Sequence, residues 1–289
     1  MGKYKIFVDT GADMPEETAK QNDIGIIRFL SVFGDESYVT GTEINNEEFY
    51  KKLNSYNGIP TTAQTPYGEL YDILKEASLE YDTVIYFVLS SNASGQYNSA
   101  CMVKNEILEN DNPKADIRIF DTLRFSAFIT GAAIYAKQLL DEGMNVDEVL
   151  DKSREYLESW EAYILVDTLK YLEKGGRITK TSAIVGSLLD IKPVLTIRNG
   201  LVEPVEKIRG RKKIYKKLTD LIKENPNFDK DSGEFMIVES NKEYAQEMFE
   251  TLKAEFGISN VVYHIELGPV IGTHIGPGTI AVLFKLKKK

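Results

Sequence analysis

The sequence predicts an α/β protein in two parts: an N-terminal doubly wound domain on a mainly parallel sheet, residues 1–159, and a C-terminal α+β domain, residues 160–289. Three observations predict it. The length of 289 residues exceeds the usual single-domain size. Compact apolar runs alternate with helix-like segments through the first half, the pattern of a parallel sheet wrapped by helices. In the second half Asn199-Gly200 separates two β-rich runs, a strong signal for a type I′ hairpin and so for antiparallel pairing.

The elements follow in order. Residues 4–10 are a compact apolar run and read as the first strand. Asp13-Met14-Pro15-Glu16 reads as a helix start, with Asp13 as N-cap, an early proline and Glu16 in capping-box position. Residues 24–33 are a second β-rich run, and 46–54 and 66–80 read as helices. Thr65 and Pro66 suit the cap and first position of the latter. Residues 83–90 are almost continuously apolar, as expected of a strand covered on both faces. A loop over 91–95 leads to a helix ending near 109, a strand over 115–121 and a helix over 126–142. Residues 146–159 read as a helix leading out of the first domain. Beyond it, 162–168 reads as a strand and 182–190 as a short helix. The hairpin arms are 193–197 and 201–205. Helices over 211–224 and 242–256 alternate with strands over 234–240, 261–266 and 279–286.

Composition narrows the function classes. Apolar residues at 43% and charged residues at 27% describe an ordinary globular chain. The net charge of −9 argues against nucleic-acid binding and requires any anionic ligand to find a local donor-rich site. No apolar run approaches the roughly 18 residues of a membrane span. Nothing ahead of the first strand resembles a signal peptide, so a cytoplasmic location is expected. Cys101 is the only cysteine, which excludes an internal disulfide and any multi-cysteine zinc site.

Two segments carry unusual chemistry. The stretch 268–278 holds one of two histidines, His274, among four glycines and two prolines. It reads as a sharp connection between strands in which a fixed imidazole can offer an N–H to an anion. Ser90-Ser91-Asn92-Ala93-Ser94-Gly95 follows a strand and opens a helix. Ser94, Gly95 and Gln96 are expected to present backbone N–H groups there, as anion sites do. A third loop, Thr61-Thr62-Ala63-Gln64-Thr65-Pro66, is rich in hydroxyls. The Gly-x-Ser-x-Gly elbow of serine hydrolases is absent around Ser94, and no P-loop or dinucleotide fingerprint occurs. His264 and His274 lie ten residues apart, without metal-site spacing, and His264 reads as structural.

Five ordered segments resemble the DegV family, the fatty-acid-binding proteins that serve bacterial fatty acid kinase. Val8-Asp9-Thr10-Gly11-Ala12-Asp13-Met14-Pro15 is similar to the family's opening Asp-Ser-x-Ala-Asp-Leu-Pro. Thr61-Thr62-Ala63-Gln64 resembles its Thr-Ser-Gln-Pro, and Ser90–Tyr97 its Ser-Ser-x-Leu-Ser-Gly-Thr-Tyr. Leu172-Glu173-Lys174-Gly175-Gly176-Arg177-Ile178 and the 268–278 stretch match almost residue for residue. Departures are Ala63 for Ser, Thr65 for Pro, Ala93 for Leu and Gln96 for Thr. The resemblance implies a long-chain fatty acid in a tunnel between the domains, its carboxylate held by Thr62, Ser94, Gly95 and His274, with no other cofactor. Segments 126–142 and 184–189 are candidates for the tunnel lining. The implied partner is the catalytic subunit of the kinase, which phosphorylates the bound carboxylate to an acyl-phosphate. Arg209 and Arg211, in a basic patch, with Arg177 near the same entrance, are the expected contacts. Contact with a membrane surface is at most transient. A Ser94/His274 hydrolase or acyltransferase, and a lipid sensor without a kinase, stand as alternatives.

Overall fold

Alternation of apolar side chains decides which layers form, as a computed structural model covering residues 2–179, 191–209 and 214–288 makes explicit. The chain begins with β1 (Tyr4–Asp9), a 3₁₀ turn (Thr10–Ala12), α1 (Glu16–Gln21), β2 (Ile24–Ile27), β3 (Leu30–Phe33), β4 (Glu36–Val39), α2 (Asn46–Ser55) and β5 (Thr61–Ala63). It continues through α3 (Tyr67–Glu80), β6 (Thr83–Val88), α4 (Gln96–Asn110), β7 (Asp116–Asp121), α5 (Ala127–Asp141) and α6 (Val146–Glu158). Then come β8 (Trp160–Leu165), α7 (Lys170–Gly175), β9 (Ile191–Arg198), β10 (Leu201–Arg209), α8 (Ile214–Glu224), β11 (Phe235–Glu239), α9 (Lys242–Phe256), β12 (Tyr263–Glu266), α10 (Pro269–Ile275) and β13 (Ile280–Lys285). The helix expected over 182–190 and the first residues of that expected from 211 lie outside the described residues.

The first sheet has the order β2-β1-β6-β7 and is parallel throughout. Successive residues of a strand face opposite sides. Val84, Tyr86 and Val88 of β6 therefore pack with Leu70 and Leu74 of α3 and Val103 and Ile107 of α4. Ile85 and Phe87 pack on the other side with α5. Both faces are covered, which is why residues 83–88 read as one apolar run.

The second sheet, β10-β9-β8-β13-β11-β12, is antiparallel except where β12 joins β11. One face carries α8 and α9, through Leu218, Ile222, Met248 and Leu252. The other face, with Ile164, Val238 and Leu283, shares one core with Ile6 and Val8 of β1 and the apolar side of α5. The β9–β10 turn has positive φ at both Asn199 (49°) and Gly200 (73°), the conformation a type I′ turn requires.

Several local expectations are corrected. The run 24–33 is two strands in different sheets, because the backbone at its middle is claimed by side chains. The Phe29 N–H donates to Thr10 Oγ1 and the Thr65 hydroxyl donates to the Arg28 carbonyl. Thr65 is thus no helix cap, and Pro66 occupies the N-cap of α3 rather than its first turn. Residues 61–63 are a strand, antiparallel to β3 in a small β4-β3-β5 sheet. Asp13 does not cap α1; it closes the 3₁₀ turn at φ 51°, and its Oδ1 accepts the distant Gly268 N–H at 2.9 Å. The glycine-rich stretch is not a simple turn but contains α10, opened by Pro269 at the first position. Gly272 lies where a Cβ would come within 2.8 Å of Phe49 and Tyr50, and Gly276, at φ 83°, ends the helix. Its glycines serve close packing and a C-terminal stop.

Candidate functional site

In open parallel sheets the connections diverge at one point, leaving a crevice at the carboxyl ends of the strands. Here that point lies between β1 and β6, whose successors β2 and β7 are at opposite edges. Asp9, the last residue of β1, is fully buried and accepts N–H bonds from Leu89 and Gly11, both at 2.9 Å. It ties the two strand ends together. Burial outweighs these bonds and pushes its carboxyl up to about 7.

Above this point a cavity opens between the two sheets. The first half of the chain contributes Phe29, Leu89, Ala127 and Phe128. The second contributes Ala162 and Ile164 of β8, Val238 of β11, and Ala281 and Leu283 of β13. The polar side chains of the lining are Thr62 from β5, Ser94 from the loop after β6, Ser126 before α5, Arg177 after α7, His274 of α10 and Thr279 before β13. Thr62 Oγ1 lies 2.8 Å from His274 Nε2, joining residues 212 apart in sequence. On its other side the imidazole meets Gly175, where a Cβ would sit 2.7 Å from Nδ1. Burial, reinforced by the nearby Arg177 cation, pulls the His274 pKa down to about 4. The ring is therefore neutral at neutral pH and carries a single N–H. Arg177 is held by two carbonyls: its Nε donates to Ala93 O at 2.9 Å and its Nη1 to Gly175 O.

Not every expected donor is free. The Ser94 N–H bonds Ser90 O at 3.1 Å, and the Gln96 N–H bonds Ser94 Oγ at 3.2 Å. Of the three backbone donors expected at the start of α4, only that of Gly95, its N-cap, lacks such a bond among the described residues. Arg177 and Arg209 are not neighbours. Residues 177 and 179 pair with Val202 near the start of β10, whereas Arg209 is its exposed last residue, about 20 Å further along a strand. Arg211 and segment 184–189 lie outside the described residues. Of 126–142, only its first residues reach the cavity; most of α5 packs against β1 and α6. The sheet lining from β8, β11 and β13 was missed because its apolar alternation is that of any covered strand. His264 sits on β12 with a half-exposed ring 3.5 Å from Glu239. No helix among the described residues is long and apolar enough to cross a membrane.

The fold and the cavity define a two-sheet α/β protein with a site suited to an amphipathic molecule: hydroxyls, an imidazole and one guanidinium at one end, hydrocarbon elsewhere. The family model described as the uncharacterised DegV family matches residues 3–287, and the chain belongs to that family. It is 32% identical over 284 residues to protein DegV of Bacillus subtilis, covering 98% of this chain and 99% of that one. A crystal structure of Bacillus subtilis DegV, described as a fatty acid binding protein, superposes with a TM-score of 0.83 at 30% identity, covering 99% of this chain and 100% of the other. A fatty acid binding DegV family protein from Streptococcus agalactiae gives a TM-score of 0.84 at 28% identity, with both chains covered fully.

Proposed function

We propose that this protein binds a long-chain fatty acid between lobes 1–159 and 160–289 and presents the carboxylate to a partner kinase for phosphorylation. The observation that carries the reading is the Thr62–His274 pair at the polar end of an otherwise apolar cavity. A carboxylate leaving water is costly unless donors replace its hydration. In the tautomer that carries its proton on Nε2, neutral His274 donates to Thr62 Oγ1 and leaves the threonine hydroxyl proton for the ligand. Ser94 Oγ, the Gly95 N–H and Arg177 complete the donor set, a charge-assisted arrangement stronger than neutral hydrogen bonding. The tail gains about 0.8 kcal/mol per buried methylene.

The kinase approaches the head-group end, where Arg177 lies. Arg209, at the far end of β10, serves a separate part of that contact or none. A Ser94/His274 nucleophile–base pair is disfavoured by the contacts each makes: His274 Nε2 faces Thr62, and Ser94 Oγ accepts the Gln96 N–H.

Mass spectrometry of lipid extracted from the purified protein tests the reading, beside a Thr62→Ala/Ser94→Ala variant. The expected result is near-stoichiometric fatty acid in the wild type and strong depletion in the variant. No lipid in either, with added fatty acid also failing to bind, removes it. Acyl-phosphate formed with a cognate kinase and ATP, and lost in Arg177→Glu, tests the presentation step separately.

A further inference from the structure

The cavity has a direction, and its blind end is built differently from its mouth. Thr279, just after α10, lies beside the polar end. Along β13 the inward residues are then Ala281, Leu283 and Lys285, facing Ile164, Ala162 and Trp160 of β8 through the pairs Ala281↔Ile164, Leu283↔Ala162 and Lys285↔Trp160. The lining follows this ladder as far as Leu283 and Ala162 and stops before the last pair. On β11 it includes Val238 and not Met236, the residue opposite Leu283. On α5 it includes Ala127 and Phe128 and nothing from the next turn. The cavity thus ends on β11 at Val238, opposite Ala281, and one inward pair further on β13 and β8, at the level of Leu283 and Ala162.

What lies beyond that level is an aromatic stack. Trp160 is 3% exposed, and its ring centroid is 6.2 Å from that of Tyr156, which stacks on Tyr135 at 5.2 Å. Lys285 closes the outside, its Nζ 4.5 Å from the Trp160 ring centroid and 5.3 Å from that of Tyr156. The Tyr156 hydroxyl fits over Gly131, where a Cβ would stand 2.3 Å away, so α5 is notched to admit it. Trp160 Nε1 is buried with the Tyr156 hydroxyl as its polar neighbour, so the two side chains hold each other in place. Strand geometry puts the stack about 20 Å along β13 from Thr279.

The geometry points to Trp160, braced by Tyr156, as the stop that sets acyl-tail length, an inference that rests on the fatty-acid reading above. A tail that reaches Leu283 and Ala162 meets an indole that cannot yield without displacing Tyr156 from its notch and Lys285 from its place over both rings. Trp160→Leu and Tyr156→Ala deepen the cavity at its end; Leu283→Phe shortens it. None of these residues touches the head-group site.

The test is competition binding of a homologous series of saturated fatty acids, myristic to behenic, to the full chain and to each variant, with thermal unfolding run alongside to establish that each is folded. In Trp160→Leu or Tyr156→Ala the preferred acid shifts to a longer one, each newly accommodated methylene improving affinity about fourfold relative to wild type. In Leu283→Phe it shifts to a shorter one. Wild type that binds the series while every folded variant keeps the wild-type length profile overturns the stop and leaves the fatty-acid reading standing. Wild type that binds none of the acids overturns both. Leu283→Phe adds only ring carbons at the end of an existing cavity, so the length profile is decided even if Trp160→Leu does not fold.

Discussion

His274 and Asp13 show how burial, the largest cause in each, moves two groups in opposite directions. Burial disfavours the charged form, so a base is pulled down and an acid pushed up. His274 goes from 6.5 to about 4, with Arg177 adding to the fall, and Asp13 from 3.8 to about 7, with Asp9 adding to the rise. The signs for stability follow by linkage. The folded state holds its proton on His274 less tightly than the unfolded chain does. That contribution is therefore complete above pH 6.5 and is lost as pH falls through about 4. Asp13 acts the other way: its contribution is complete below 3.8 and is lost as pH rises through about 7. Asp9, raised to about 7 by its own burial, behaves like Asp13. Denaturant unfolding followed across that pH range is expected to show a flatter acid limb in His274→Gln. In Asp13→Asn, where the amide oxygen can still accept the Gly268 N–H, the limb above pH 3.8 flattens. An Asp13→Asn profile superimposable on wild type contradicts the assignment. Bound carboxylate next to His274 favours the imidazolium, so fatty acid is expected to raise the histidine pKa, read directly from its ring proton resonances.

At the scale of elements, α10 is the piece on which the site depends, and it is held mostly by contacts distant in sequence. Asp13 fixes its N-terminus through Gly268, and Gly272 lets it approach α2. Gly272→Ala puts a Cβ 2.8 Å from both Phe49 and the Tyr50 hydroxyl, atoms packed in a buried aromatic cluster. Overpacking of this kind costs about 1–3 kcal/mol. The helix relieves it by shifting, which separates His274 from Thr62. Fatty-acid affinity is expected to fall although no head-group residue changes; unchanged affinity, with the stability loss alone, removes the link between α10 docking and the site. The same dependence explains what sequence could not disclose. Residues 83–88 and Asn199-Gly200 were legible because their pattern is local: burial on both faces in one, positive φ at two residues in the other. α10 was not, because its glycines answer Phe49, Tyr50 and Tyr171, which no spacing within 268–278 reveals. β5 was not, because Thr61–Ala63 is too short for a pattern and is a strand only through its pairing with β3. Thr62, Ser94 and His274 could be singled out by type and by resemblance to a family. Only the fold joins Thr62 to His274 and brings Arg177 to their side.

At the scale of the whole molecule, the largest of its apolar clusters runs from the first sheet to the second. Val8 and Phe87 of the parallel sheet, Ala132 and Leu140 of α5, and Ile164, Val238 and Leu283 of the second sheet belong to a single buried cluster. The cavity is a gap within that cluster, lined from both sides. Neither sheet can lose its inner face to water without exposing the other, so thermal unfolding is expected as one transition even though two large sheets are present. A tail filling the gap adds contacts to both halves of the chain at once and binds only the folded state. By mass action, free ligand at a hundred times its dissociation constant stabilises by about 2.7 kcal/mol. With roughly 2–4 °C per kcal/mol for chains of this general size, the midpoint should rise by about 5–10 °C. Calorimetry of delipidated protein with and without palmitic acid measures this. A single endotherm that moves as a whole is the expected result, and in Thr62→Ala it moves less because the carboxylate has lost a donor. Two endotherms, of which palmitic acid shifts only one, would show that the ligand touches one half of the chain and that the shared core does not couple the two.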